Sequence, residues 1–352
     1  MLPFLLACAH LESTPSDGAP AGGGAAESAP TGDVVLTGAT VVGRGRVDLG
    51  FVDGRVGDTT GTPVDESGRW IVPAFIDSHV HLAYLPEPEA MAAGGVAGVV
   101  DLAAPVGFLA QSHGPLRFLG AGPMITAPAG YPLNSWGAAG YGLGVVDAPE
   151  AAAAVDALVD AGAGLIKVPL AGGPELDDAA FAAVVAQAHA RGVKVAVHAL
   201  DADSAARAAG LGADVLAHTP VDPALDASAW KGRAVISTLG AFGGSTTTRA
   251  NLAALRDAGA TVLYGTDFGN TRTPGVDPDE IALLMEAGFS GAEILAAGTS
   301  TPATFWGFTD LGDLTPGKAA SALVLDADPL VDPTTLGRPV EVWIDGQRVA
   351  AR

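Results

Sequence analysis

The chain has 352 residues, 49% hydrophobic and 16% charged, enough for a substantial core and for one large domain with an appendage or two modest domains. A formal net charge of −21 argues against nucleic acid as a partner, because phosphate binding needs a basic face. The single cysteine, Cys8, excludes an intrachain disulfide and a thiolate metal cluster, and no apolar run approaches the roughly 18–20 residues of a membrane-spanning helix.

At the N-terminus, Leu5-Leu6-Ala7-Cys8 resembles the lipobox of bacterial lipoproteins, whose cysteine is lipidated and becomes the mature first residue. Residues 9–32 are rich in Gly, Ala, Ser and Pro and read as a flexible tether. Residues 1–32 thus predict export and a lipid anchor at the cell envelope; the alternative is a disordered tail on a cytoplasmic enzyme. From Asp33 the text turns to short apolar segments separated by Gly and Asp, such as Val34-Val35-Leu36 and Thr40-Val41-Val42. The same language returns in Ala322-Leu323-Val324-Leu325 and around the turn Asp345-Gly346. Residues 33–70 and 311–352 are therefore expected to form one small β-sandwich domain built from both chain ends.

Between them, residues 71–310 alternate apolar strands with alanine-rich helices, the pattern of βα units on a parallel sheet. Eight strands are predicted, at 71–76, 98–102, 118–125, 165–170, 193–197, 215–217, 235–239 and 262–265, with helices at 148–162, 178–191, 203–210 and 250–258. This α/β pattern matches a (β/α)8 TIM barrel, in which reactive residues gather at the C-terminal ends of the strands.

Reactive residues do stop the apolar runs. The string IVPAFIDSHVH ends in His79 and His81, which at i and i+2 of a strand share a face and can converge on one ion. Lys167 lies in the fourth strand, His198 ends the fifth, His218 ends the sixth, and Asp267 follows the eighth. Each also has a plainer reading: Lys167 as a structural ion-pair partner, Asp267 as a cap, His218 as an orienting group. His10, His113 and His189 fall in the tail, a loop and a helix face and are read as non-catalytic.

The segments PAFIDSHVH, LIKVPL, VAVHA, LAHTP, YGTD and TPATFWGFTDLGDLTPGKAASALVLDADPL resemble the amidohydrolase superfamily, closest to its imidazolonepropionase and Xaa-Pro dipeptidase branch. The chain departs from it at Ala74, where glycine is usual, and at Ala320-Ser321-Ala322, where many members have Ala-Asp-Leu. The resemblance implies that His79, His81 and Asp267 hold one divalent metal, His198 and His218 hold a second, and a carboxylated Lys167 bridges them. Imidazole and carboxylate donors suit zinc. It further implies hydrolysis of a C–N bond in an amide, dipeptide or cyclic amide by a metal-activated hydroxide, with Asp267 as general base. The nearest rival is a one-metal, imidazolonepropionase-like cyclic amidohydrolase; a rival of another class is a non-catalytic, surface-anchored binding lipoprotein. The loop at 124–137 offers Tyr131 and Trp136 as substrate contacts, and Arg249 and Arg272 could hold a carboxylate. Expected partners are a small-molecule substrate, a lipid through Cys8 and a second copy of the chain.

Overall fold

The computed structural model describes residues 32–351. The predicted leader, Cys8 and the tether up to residue 31 lie outside them. Among the described residues no helix is long and apolar enough to cross a membrane.

Eight parallel strands carry the centre of the molecule: β1 (Phe75–Val80), β2 (Val96–Asp101), β3 (Arg117–Gly120), β4 (Leu165–Leu170), β5 (Lys194–Ala199), β6 (Val215–Leu216), β7 (Ala234–Ile236) and β8 (Thr261–Leu263). They form a three-stranded sheet ordered β3-β2-β1 and a five-stranded sheet ordered β4-β5-β6-β7-β8. The sheets meet at both edges. Gly164 N–H donates to Gly120 O at 3.0 Å between β3 and β4. Ser78 N–H donates to Tyr264 O at 2.9 Å, and His81 N–H to Phe268 O at 2.7 Å, between β1 and the chain leaving β8.

Two strands differ from the sequence reading. The run predicted at 71–76 is divided: Trp70–Pro73 pairs antiparallel with Ala322–Leu325 in a terminal sheet, and β1 starts afresh at Phe75. Both flanks are apolar, so the break is silent in hydrophobicity; Pro73 has no N–H to continue a ladder, and Ala74 N–H turns to Ser321 O at 3.0 Å. The third predicted strand, 118–125, is also cut. Gly122 takes φ +70° and Pro123 follows, and Met124–Thr126 then pairs with Gly142–Gly144 instead of β2.

The helices are α1 (Pro88–Ala93), α2 (Ala148–Asp160), α3 (Asp178–Ala190), α4 (Ala202–Gly210), α5 (Thr246–Asp257), α6 (Pro278–Glu286), α7 (Gly291–Gly298) and α8 (Ser300–Trp306). Asp147, Asp177, Asp201 and Ser245 cap α2 to α5 by accepting backbone N–H groups of the first turn. Each such cap contributes about 1 kcal/mol and fixes where the preceding loop ends. One face of α3 buries Phe181, Val184, Val185 and Ala188 against the strands.

The chain ends build two further sheets. One has four strands with Val34–Thr37 inside it; the other has six and joins Thr40–Val41 and Trp70–Pro73 to Ala322–Leu325 and Glu341–Ile344. They share a core in which Val34, Leu36, Ile71 and Val324 surround the Phe51 and Trp343 rings, 5.7 Å apart edge to face. Arg117, opening β3, forks to Asp310 and Asp345 at 2.9 and 2.6 Å, which ties these sheets to the parallel strands.

Candidate metal centre

The reactive side chains sit where the parallel strands run out. Along a strand every second residue shares a face, so Lys167 follows Leu165, and His198 follows Ala196, up the side that packs an apolar cluster with Val100, Val215, Ala234 and Leu263. That cluster is made of small and branched residues, and polar groups begin directly beyond it.

His79, His81 and Asp267 converge, with one ligand atom from each lying within 4.8 Å of the others. His79 Nε2 and His81 Nε2 are 3.3 Å apart, and Asp267 Oδ1 lies 3.3 and 3.1 Å from them. His79 Nδ1–H donates to Ala217 O at 2.8 Å, which leaves its Nε2 lone pair facing Asp267. Burial, opposed by Asp267, holds His79 well below its ordinary value and hence neutral. Burial also pushes the Asp267 carboxyl up, but the two histidines and the Asn270 amide at 3.1 Å outweigh it and hold it to about 2. Two imidazole nitrogens and a carboxylate oxygen packed this closely are stable only around a positive charge, whether a proton on His81 or a divalent cation. The donor set fits a metal of the zinc type.

Asp267 reaches this point through a left-handed backbone, φ +58°, in the segment Gly265-Thr266-Asp267. Its N–H donates to His79 O at 2.8 Å, and its carbonyl accepts from Thr271 N–H at 2.9 Å. Two buried carboxylates brace the His-x-His run. Asp77 accepts from His79 N–H at 3.0 Å and Thr266 N–H at 3.1 Å. Asp101, last residue of β2, accepts from Leu82 N–H at 2.8 Å and Ala103 N–H at 3.0 Å. Burial raises Asp77 to about 7 and Asp101 to about 6 despite these bonds.

Beside the triad stand His218 and His198. The His218 ring lies 4.5 Å from that of His79 and 4.8 Å from that of His198, and its Nδ1 meets Thr238 Oγ1 at 3.0 Å. Lys167 is fully buried, and its Nζ has no hydrogen-bond partner among the described residues. Burial, against the pull of Asp267, lowers its ammonium to about 7. Its charge adds to the lowering of His79, His198 and His218 and opposes the rise that Asp267 gives His81, so it belongs to the same electrostatic cluster.

The other sequence candidates are placed as follows. Trp136 packs edge-on 5.8 Å from the His81 ring, and Tyr131 lies 5.6 Å from His198. Arg249 engages Gly244 O and, at 3.4 Å, Glu286, while exposed Arg272 lies 6.0 Å from the Tyr84 ring. His189 pairs with Asp214 at 2.9 Å on the helix surface, and His113 stacks 3.6 Å from Phe118. Sequence reading missed Asp77, Asp101, Thr238, Tyr84, Tyr141 and Phe242. For Asp101 the signal was present: it too ends an apolar run.

The sequence profile of the Amidohydrolase family matches residues 70–349. An uncharacterized protein of Mycobacterium tuberculosis is 26% identical over 349 residues, spanning 86% of this chain and 91% of its own length. Among solved structures, a Xaa-Pro dipeptidase with bound methionine superposes with TM-score 0.75 at 18% identity, over 90% of this chain and 99% of that one. A prolidase complexed with N-methylphosphonate-L-proline gives 0.74 at 21%, over 91% and 100%. A molinate hydrolase gives 0.72 at 18%, over 90% and 94%. The chain belongs to the amidohydrolase family and is a hydrolase.

Proposed function

We propose that this amidohydrolase cleaves a C–N bond in an amide, a dipeptide or a cyclic amide at a binuclear divalent-metal site bridged by carboxylated Lys167. The two parallel sheets are read as arcs of one (β/α)8 barrel, with the terminal sheets as a β-sandwich beside it.

The observation that carries the proposal is Lys167 itself. A fully buried amine with no hydrogen-bond partner among the described residues, lowered to about 7, is a nucleophile for carbon dioxide near neutral pH. Adding carbon dioxide and losing a proton turns it into a carbamate, an anion that two cations can share. His79, His81 and Asp267 would hold one ion, and His198 and His218 the other. Bound there, the metal supplies Lewis acidity for a carbonyl and for water. Asp267, kept ionised by its neighbours, takes up the proton of the attacking water and delivers it to the leaving nitrogen. Asn270 and the backbone of Thr271 hold its carboxylate and its peptide in place for both transfers.

The test is metal content by elemental mass spectrometry on protein produced with zinc and bicarbonate. The expected result is about two equivalents per chain, falling to about one in Lys167→Ala. One equivalent in both proteins would replace this reading with the mononuclear cyclic amidohydrolase. That second reading has its own support: among the described residues, the donor atoms within 4.8 Å of one another come from His79, His81 and Asp267. Anchoring at the envelope through Cys8 remains part of the proposal, and Cys8→Ser is expected to move the protein from the membrane fraction to the soluble one.

A further inference from the structure

We propose that Glu280 is the positioning residue for His218, holding the turn after β7 so that the Thr238 hydroxyl fixes the ring of that histidine; this rests on reading His218 as a ligand of the second ion. Glu280 is buried in the first turn of α6. Its two oxygens are divided between successive peptides of the turn. Oε1 accepts Leu239 N–H at 3.0 Å, and Oε2 accepts Gly240 N–H at 2.8 Å. The Ser237 side chain adds a hydrogen bond to the same carboxylate. The clamp is itself anchored, because Asp277 N–H, at the start of α6, donates to the buried Tyr264 Oη at 2.7 Å.

The clamped turn is strained. Thr238 takes φ +38°, a left-handed backbone that a β-branched residue keeps only where its neighbours over-determine it. Here its own N–H donates to Gly265 O at 3.1 Å, and Glu280 takes the two N–H groups that follow. In that posture Thr238 Oγ1 meets His218 Nδ1 at 3.0 Å, and Phe242, further round the turn, lies edge-on 4.8 Å from the same ring. The Thr219 hydroxyl donates to Ser237 O at 2.8 Å, which joins the end of β6 that bears His218 to the end of β7 that Glu280 holds.

Burial, with His79 and His198 adding to it, keeps His218 neutral, so one ring nitrogen carries hydrogen and the other a lone pair. Engaging Nδ1 with Thr238 turns the Nε2 lone pair towards a cation, the arrangement that orients metal-binding imidazoles in general. Glu280 thus acts on the ligand at one remove, through the peptide of Thr238.

Zinc titration of the metal-free protein, at about pH 8 to keep the Glu280 carboxyl above its own value of about 7, tests this. Glu280→Gln turns an amide NH2 towards one of the two peptide N–H groups. It is expected to weaken the second zinc equivalent about tenfold or more and to leave the first unchanged. Thr238→Ala should show the same split and Thr238→Ser restore most of the binding. The double variant Glu280→Gln/Thr238→Ala should be no worse than the weaker single one, since both act on one hydrogen bond. Val184→Ala, buried in α3, is the control for lost stability and should keep both equivalents. Equal loss of both equivalents, additive losses, or unchanged binding in Glu280→Gln overturns the proposal. Nitrogen-15 NMR of the imidazoles in a chelator reads the ring without metal. His218 should carry hydrogen at Nδ1 in the wild type and become a mixture of tautomers in Glu280→Gln, while His79 stays as it is. One equivalent in the wild type strikes the binuclear reading alone; the spectra then decide, and an unchanged His218 signal overturns the proposal. If Glu280→Gln does not fold, Glu280→Asp, a carboxylate one methylene short of the turn, takes its place in both measurements.

Discussion

The Asp77 carboxylate accepts the Thr266 hydroxyl at 2.5 Å and the Thr266 N–H at 3.1 Å, across 189 residues of chain. Because Asp77 also accepts His79 N–H, one buried group sets the distance between the His-x-His run and the turn that presents Asp267.

Asp77→Ala leaves two N–H groups and a hydroxyl unpaired in a fully buried place, a loss of about 3 kcal/mol. It should also weaken metal binding about tenfold or more, as the loss of supporting hydrogen bonds does elsewhere. Asp77→Asn, which keeps an acceptor for the two N–H groups, is expected to recover part of both. Urea unfolding and zinc titration measure the two effects separately. Equal metal affinity in all three proteins would remove the role given to this carboxylate.

Gly269 has φ +112°, and a Cβ there would lie 2.8 Å from His81 Cβ and 2.9 Å from His81 O. Gly269→Ala therefore combines left-handed strain with a collision against a candidate ligand, costing about 1–3 kcal/mol. Metal content per chain should fall with it. Gly288→Ala, also at positive φ but with open space around it, is the control for strain alone.

Lys167 gives the metal-free protein a characteristic pH response. Its ordinary value of 10.5 falls to about 7 on burial, so between those limits the unfolded chain binds a proton that the folded chain does not. Stability should therefore rise as pH increases from about 7 towards 10.5, by at most about 1.4 kcal/mol per pH unit from this group. Lys167→Met should flatten that slope and stabilise the apo protein near pH 7. Denaturant unfolding in a chelator, at several pH values, reads it directly.

Asp267→Asn keeps the size of the side chain but removes the proton acceptor. Turnover is expected to fall about 10²–10⁴-fold. Steady-state kinetics at saturating zinc decide this; unchanged turnover would take the proton-transfer role away from Asp267.

Much of this architecture is legible in the text of the chain, for definite reasons. His79, Lys167, His198 and Asp267 interrupt apolar runs, so polarity alone marks the strand ends. The α2 to α5 helices begin at Asp or Ser caps that sequence displays. Asp77 stays hidden because it lies inside the apolar run it serves, and nothing local tells a clamp from a defect. The division at Ala74 is equally silent, because Ile71 and Phe75 are buried alike in different sheets. Tyr84, Tyr141 and Phe242 come from loops whose meeting no periodicity records. The α7 helix was within reach: Ser290 and Glu293 form a capping box, a signal readable three residues apart.

The contact of β1 with the chain leaving β8 also orders events in time. His79 and His81, at the end of β1, are synthesised early and wait for Asp267, which emerges 188 residues after His79, so a growing chain has no complete donor set until its last core strand docks. A cation held there, as proposed, would join the first strand to the last, like a clasp on a bracelet. Since it binds only the joined form, it should slow unfolding far more than it speeds folding, and stripping it should shorten the protein's lifetime at elevated temperature before it changes any contact elsewhere.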